Sequence, residues 1–390
     1  MKRRTGWRVG AAVAALALAA PAAASARYVL VSSPNAFAGN NVLNGVSASS
    51  ASEAWAVGSL CCAVRHSGLG TLTERWNGTS WSVVPSPDTQ LNDDVLSAVA
   101  DISPANAWAV GEVHQTSFKT RHPLIVHWNG TAWSTVAAPS TVPIGELLAV
   151  SADSASDVWA VGGDQQGHGV ILHFNGTSWA SVASPQLAGG ETLQGVKAFG
   201  PTNVWAVGGR FAGCVNSIGR TLILHFNGTS WSAVSSPNPD PNANDLTSVG
   251  GFSSTNLWAV GCKGQSETST GVPPGTRTLT AHWNGTAWSA VSSPSVGDED
   301  ALTGVAAPTA TTVAAVGSDN NTSGPIPIAR TLAETWSGTS WSVSPTPNVG
   351  TSDNLLQGVT AIPGTSSVWA VGFHLTPGGP YQTVILHTTS

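Results

Sequence analysis

Residues 27–35 read RYVLVSSPN. Tyr28 is followed six positions later by Pro34, and the same spacing recurs six times with Trp in the first place: Trp81 to Pro87, Trp133 to Pro139, Trp179 to Pro185, Trp231 to Pro237, Trp288 to Pro294 and Trp341 to Pro347. The stretch is one copy of a repeated segment, standing alone near the start of the chain. Finding where it belongs determines the fold.

Each of the six Trp copies follows an apolar segment and a short Gly-containing loop, as in TLILHFNGTSW (221–231), WNGTSW (76–81) and WSGTSW (336–341). Further upstream lies WAVG, at Trp55, Trp108, Trp159, Trp205, Trp258 and Trp369, with a seventh copy, AAVG, at Ala314. Some 9–12 residues before each copy stands L-x-x-V, from Leu43/Val46 to Leu356/Val359, and the whole unit repeats every 46–56 residues. All four segments are short, apolar and bounded by Gly, Pro, Asn or Ser, which is strand patterning. Asn-Gly between two strands predicts a type I′ hairpin, in which both turn residues take positive φ. A four-stranded antiparallel unit at this period is a β-propeller blade.

The first three segment types occur seven times and the Trp-to-Pro segment six, because the chain ends at TVILHTTS. YVLVSSP is the missing seventh copy. The expected fold is therefore all-β: a seven-bladed β-propeller over residues 27–390, four antiparallel strands per blade, with the N-terminal strand completing the last blade. Without that strand the final sheet would keep an open edge.

The order of apolar strand, glycine, and then an aromatic and a Trp flanking the last hairpin resembles kelch-like propellers, of the type of the galactose oxidase central domain. The double glycine of that family is matched at Gly162-Gly163 and Gly208-Gly209 only. The last hairpin is also similar to the Asp-box of sialidase-type propellers, without its Ser-x-Asp. The resemblance implies architecture and leaves function open, because propellers carry many functions.

Residues 1–26 have the order of a secretory signal peptide: Lys2, Arg3, Arg4 and Arg8, an apolar run over 9–20, then Ala24-Ser25-Ala26. Arg3-Arg4 leaves twin-arginine export open beside the general route. The apolar run is short for a membrane span. Removing the leader takes four of the 15 basic residues and none of the 21 acidic ones, leaving a formal charge of −10. So acidic a chain is ill suited to phosphate backbones or anionic membranes. The expectation is a secreted, monomeric protein without nucleic-acid partners.

Most conspicuous residues have structural positions. Sixteen of the 17 Trp occupy repeat positions, and His127, His173, His225, His282 and His387 share one place near the end of the third strand. One His per radiating blade cannot converge on a metal ion. Four cysteines in an exported chain point to disulfides. Cys214 and Cys262 follow WAVG in adjacent blades and are the expected bridge. Cys61-Cys62 are neighbours, either a vicinal disulfide or reduced.

Function is expected on the loops. The first-to-second and third-to-fourth connections hardly vary in length. The second-to-third and blade-to-blade connections vary widely, and both variable kinds fall on one face. Candidate ligand contacts there are the aromatics outside the Trp framework: Phe37, Phe118, Phe211, Phe373 and Tyr381. Just before L-x-x-V stand Asn41, Asp94, Glu146, Glu191, Asp245, Asp300 and Asp353. They read either as an acidic rim of the central channel, able to take a cation or a basic or polyhydroxy ligand, or as loop residues favoured before a strand. Arg220, Arg277 and Arg330 stand opposite. Asp298, Glu299 and Asp300 are the densest carboxylate cluster and the weak catalytic candidates. No firm metal site and no cofactor is expected. The leading function class is a binding module for a glycan or a cell-surface protein. The alternatives are an extracellular carbohydrate-active hydrolase or lyase, which needs two carboxylates about 5–10 Å apart, and a structural matrix protein.

Overall fold

Residues 27–31 pair antiparallel with the last strand of the chain, with Tyr28 opposite Thr388 and Leu30 opposite Leu386. The computed structural model describes residues 27–36, 38–61, 69–88, 93–115, 120–142, 144–185, 187, 190–210, 219–264, 275–321 and 327–389. The leader assigned to residues 1–26 lies outside them.

Among the described residues there are 28 strands in seven four-stranded sheets. Blade 1 comprises β2 (Asn41–Ser50), β3 (Glu53–Cys61), β4 (Leu69–Trp76) and β5 (Trp81–Val83). Blade 2 comprises β6 (Asp93–Ser103), β7 (Asn106–Gln115), β8 (Thr120–Trp128) and β9 (Trp133–Thr135). Blades 3 to 6 repeat the order over β10–β13 (146–181), β14–β17 (192–234), β18–β21 (243–291) and β22–β25 (299–343). Blade 7 runs β26 (Asn354–Ala361), β27 (Val368–Leu375), β28 (Tyr381–Thr389) and then β1 (Arg27–Val31). The N-terminal strand closes the ring, and Ser33 Oγ to Thr383 Oγ1 at 2.6 Å and Thr383 N–H to Asn35 Oδ1 at 2.9 Å extend the closure beyond β1.

Every blade has a bulge in its first strand immediately after the Leu of L-x-x-V, for example between Leu43 and Gly45. The WAVG glycine faces that bulge. At Gly58 a Cβ would overlap the Val42 carbonyl oxygen, and the same overlap recurs at the other six copies. Close backbone approach therefore accounts for this glycine.

The hairpin expectation needs correcting. Trp76 pairs with Trp81, so the loop 77–80 has four residues where a type I′ turn has two. The Asn side chain explains the difference. Asn77 Oδ1 accepts bonds from Thr79 N–H, Thr79 Oγ1–H and Ser80 N–H at 2.8–3.0 Å, forming an Asx turn that competes with the tighter hairpin. Gly78 supplies the positive φ, +93°.

The core lies in the seams between blades. The WAVG Trp of one blade packs against both hairpin aromatics of the next. Trp55 sits 4.9 Å from Trp128 and 4.9 Å from Trp133, ring centre to ring centre, and five other seams repeat the trio. Each aromatic removes about 150–250 Å² from water, on the order of 4–6 kcal/mol gross. The seam between blades 6 and 7 differs: Ala314 replaces the Trp, and buried Tyr28 packs with Ala314, Val368 and Leu386. The weakest aromatic seam thus coincides with the point of ring closure.

Candidate functional site

The ring sorts the connections by face. The loop between third and fourth strands has four residues in all six hairpins, whereas the second-to-third connection ranges from four residues (116–119) to eleven (265–275). Strand direction alternates, so these long connections and the blade-to-blade loops share one face. That face is the candidate site.

The central channel opens on it. Its wall is the first strand of every blade, and it encloses about 550 Å³. Small residues before the L-x-x-V valine let neighbouring strands touch: a Cβ on Gly45 would lie 2.9 Å from Ala98 Cα. The residue after the Leu latches blades together. Asn44 Nδ2 donates to Leu96 O at 2.9 Å, Thr247 Oγ1 to Leu302 O at 2.7 Å and Thr303 Oγ1 to Leu356 O at 2.9 Å. The wall's charged residues, Asp101, Asp153 and Lys197, come late in their strands, toward the uniform face. Desolvation lowers Lys197, with Asp153 opposing the shift. Burial pushes Asp101 up to about 7, against hydrogen bonds from Ser49.

The acidic residues before L-x-x-V lie at the entry of the first strands, Glu191 and Asp353 just ahead of theirs. Asn41, Asp94, Glu191, Asp245 and Asp300 are at most 4% exposed, while Glu146 and Asp353 are half-buried, and the lining of the channel includes none of the seven. They anchor backbone and neighbouring side chains. Gln194 Nε2 donates to both oxygens of Asp245 at 2.9 Å, Ser184 Oγ to Glu191 at 2.8 Å, Gly297 N–H to Asp300 at 3.0 Å and Ala329 N–H to Asp353 at 2.9 Å. Asn41 Nδ2 donates to Gly39 O, and Glu146 pairs with Arg121. Among the described residues no three His, Cys, Asp or Glu side chains are placed to hold a metal ion.

In blade 6, Asp300 stands directly across from Asp319, and both carboxyls are pushed up by burial, Asp319 further by Asp300 and Asp298. Glu299 begins β22 and is half-buried. Arg277 reaches Gly297 O at 2.6 Å, Arg220 reaches Asp240 O at 3.4 Å, and Arg330 faces Asp319 across the sheet. Of the aromatic candidates, Phe373 and Tyr381 form an edge-to-face pair at 5.1 Å, both half-exposed, on the variable face of blade 7. Phe37, Phe118 and Phe211 lie outside the described residues. So do Cys62 and Cys214. Cys61 and Cys262 are described, and neither is a free thiol.

The repeated His side chains lie away from this face. Each pairs across the sheet with the WAVG Trp, and four of the five hydrogen-bond the residue two before that Trp: His127 to Asn106 at 2.9 Å, His173 to Asp157 at 2.7 Å, His225 to Asn203 at 3.0 Å, His282 to Asn256 at 2.9 Å. Burial lowers His127, His225 and His282. Blade 1 puts Arg75 in this place, bonded to Glu53 at 2.7 and 2.9 Å and 5.4 Å from the Trp55 ring.

Composition and repeat counting pass over one feature of the variable face. The five-residue loop 164–168 brings Asp164 and His168 to 2.9 Å. His168 is outside the repeated His position, and its Asp-x-x-x-His spacing is the only sequence signal for the pair.

The chain is a seven-bladed β-propeller with its connections of variable length gathered on one face. No protein family and no curated protein matches the sequence. Solved structures match it along nearly its whole length. YCF48 bound to D1 peptide is similar at TM-score 0.55 and 12% identity, over 94% of this chain and 96% of that one. A polysaccharide lyase of family PL25, an ulvan lyase bound to an oligosaccharide, reaches 0.56 and 12% over 93% and 98%. The GH74 xyloglucanase from Xanthomonas campestris reaches 0.56 and 14% over 92% of this chain and 55% of that one. These neighbours are YCF48 and carbohydrate-active propellers rather than kelch proteins. At such identity the likeness is one of fold.

Proposed function

We propose that the chain is a secreted binding module that holds a glycan or a peptide on its variable-loop face. The observation that carries the reading is the asymmetry of the ring: one face keeps a four-residue hairpin six times over, and the other carries connections of four to eleven residues. Invariant length is what a scaffold requires, and diversity on one face suits recognition. Two structural neighbours, one bound to a peptide and one to an oligosaccharide, support a ligand of either kind. The leader at 1–26 supports export by either route, and a Cys214–Cys262 bridge would tie the connection after the second strand of blade 4 to the second strand of blade 5 in an oxidising compartment. Phe373 and Tyr381 are the described contacts, with Phe37, Phe118 and Phe211 completing the set.

The hydrolase or lyase reading is less well supported. Asp300 is fully buried with its carboxylate engaged by Gly297, which takes one of the three clustered acids out of reach of a substrate. The test is a titration of residues 27–390 with soluble oligosaccharides and with a peptide library. Saturable binding weakened at least tenfold by Phe373→Ala or Tyr381→Ala is expected. Turnover of a polysaccharide lost in Glu299→Gln would replace this reading with the enzymatic one, and silence in both assays would remove it.

A further inference from the structure

Blade 3 carries a cleft of about 430 Å³ on the variable face, between its own second-to-third loop and the segments that enter and leave the blade. Its apolar lining includes Val142, Ile144 and Val170. Its polar lining includes Asp164, Gln166, His168 and Ser184. The volume falls within the range of small-ligand sites, about 300–1,000 Å³.

The polar wall is preorganised. Asp164 Oδ1 accepts Gln166 N–H at 2.9 Å and His168 N–H at 2.7 Å, and Asp164 N–H returns a bond to His168 O at 2.9 Å. Gly167, at φ +82°, closes the loop, and Glu191 N–H ties its carbonyl to the next blade-to-blade segment at 2.7 Å. Asp164 Oδ2 meets His168 Nδ1 at 2.9 Å. An ionised carboxylate only accepts, so in the neutral ring it selects the tautomer with hydrogen on Nδ1 and leaves Nε2 as an acceptor. Burial pushes the Asp164 carboxyl up, and the bonds from His168 and Gln166 outweigh it, so the group stays ionised. His168 Nε2 and the Gln166 amide make no hydrogen bond to the described residues, and both side chains are exposed.

We propose that this cleft is a subsite for one pyranose unit of a neutral glycan. A pyranose presents C–H groups on its faces and hydroxyls around its rim, and the cleft offers apolar side chains beside a fixed acceptor and an amide. Asp164 and the nearby Glu191 place negative charge at the cleft, which disfavours carboxylated and sulfated sugars. Loop order established before binding lowers the entropic cost of holding a weak ligand. The inference rests on the binding-module reading and assigns it a ligand class and a place.

The test uses residues 27–390 and methyl glycosides of glucose, galactose, mannose, xylose and rhamnose, followed by amide and imidazole NMR shifts. At least one neutral glycoside is expected to saturate shifts at residues 164–168, with affinity reduced at least fivefold in His168→Ala and in Gln166→Ala. Both variants lie in an exposed loop and leave the seams intact. Methyl glucuronide should bind more weakly than methyl glucoside. If glycosides shift Phe373 and Tyr381 but not 164–168, the subsite is wrong and the module stands. If a peptide, and no glycoside, occupies 164–168, the ligand class is wrong. If neither glycoside nor peptide binds anywhere, both readings fall.

Discussion

The Trp159 indole and the His173 imidazole stack with ring centres 4.1 Å apart, and Trp159 Nε1 and His173 Nε2 converge on one oxygen of Asp157, at 3.0 and 2.7 Å. One carboxylate thus satisfies two ring nitrogens in the seam and orients the aromatic that glues blade 3 to blade 4. Asp157→Ala should cost about 1–3 kcal/mol, since it leaves buried donors unpaired. Asp157→Asn should recover most of that, because Asn203 accepts from Trp205 and His225 in blade 4 at 2.9 and 3.0 Å. Urea midpoints of the three proteins decide the matter, and equal loss in both variants would refute the acceptor role.

The WAVG glycine is expected to tolerate no side chain. A Cβ at Gly208 would overlap the Thr192 carbonyl oxygen. The nearest atoms are all backbone of the paired strand, at Thr192 and Leu193, so no flexible side chain can give way and Gly208→Ala should destabilise by about 2–4 kcal/mol. An exposed-loop control such as Gly364→Ala tests only the strain of its φ, +77°, about 1 kcal/mol.

Two buried glutamates should favour the ring in acid. Burial pushes Glu74 and Glu334 from 4.5 to about 8, with a bond from Ser33 opposing the shift at Glu74 and Asp300 adding to it at Glu334. A folded pKa above the unfolded one means the native state holds the extra protons. Their stabilisation is fully present below about pH 4.5 and is lost as pH rises through 8. The half-buried histidines, lowered by desolvation, act in the opposite sense over the same window. The comparison is therefore with the double variant Glu74→Gln/Glu334→Gln, which keeps them: the wild-type thermal midpoint minus that of the variant should fall between pH 5 and pH 8.5. A difference that rises over that window would contradict the burial argument.

Tyr28 presents its hydroxyl to the closing seam, buried and without a hydrogen-bond partner among the described residues. Tyr28→Phe should leave stability unchanged or raise it by about 1 kcal/mol, since an unpaired buried polar group is removed. Burial also raises the phenol's pKa, so wild-type stability should drop in strong alkali, as the unfolded state ionises first, and Tyr28→Phe should lose less. A large destabilisation would show that the hydroxyl has a bond the seam does not reveal.

The blades were legible because repetition spelled out each of the four strand types seven times, the last of them only because YVLVSSP carried the spacing of its six counterparts. The loop anchors were less legible. The buried position two before the Leu is held by Asn41, Asp94, Glu191, Asn244, Asp300 and Asn354. Searching for carboxylates selects Asp245 and Asp353 in blades 5 and 7, one residue along. In a strand, one step turns a side chain to the other face of the sheet. Charge type misled where register decided. The Asp164–His168 pair was hidden for a related reason: four residues apart in a loop, the two meet only because Gly167 turns the backbone back.

Sequence alone determined the number of blades, their four-strand composition and the strand that closes the ring, since period and alternation are local properties of the chain. Tertiary structure decided which side chains meet across seams, which acids are buried and where a cleft forms. Those depend on contacts between segments some fifty residues apart, whose mutual distances no local pattern encodes.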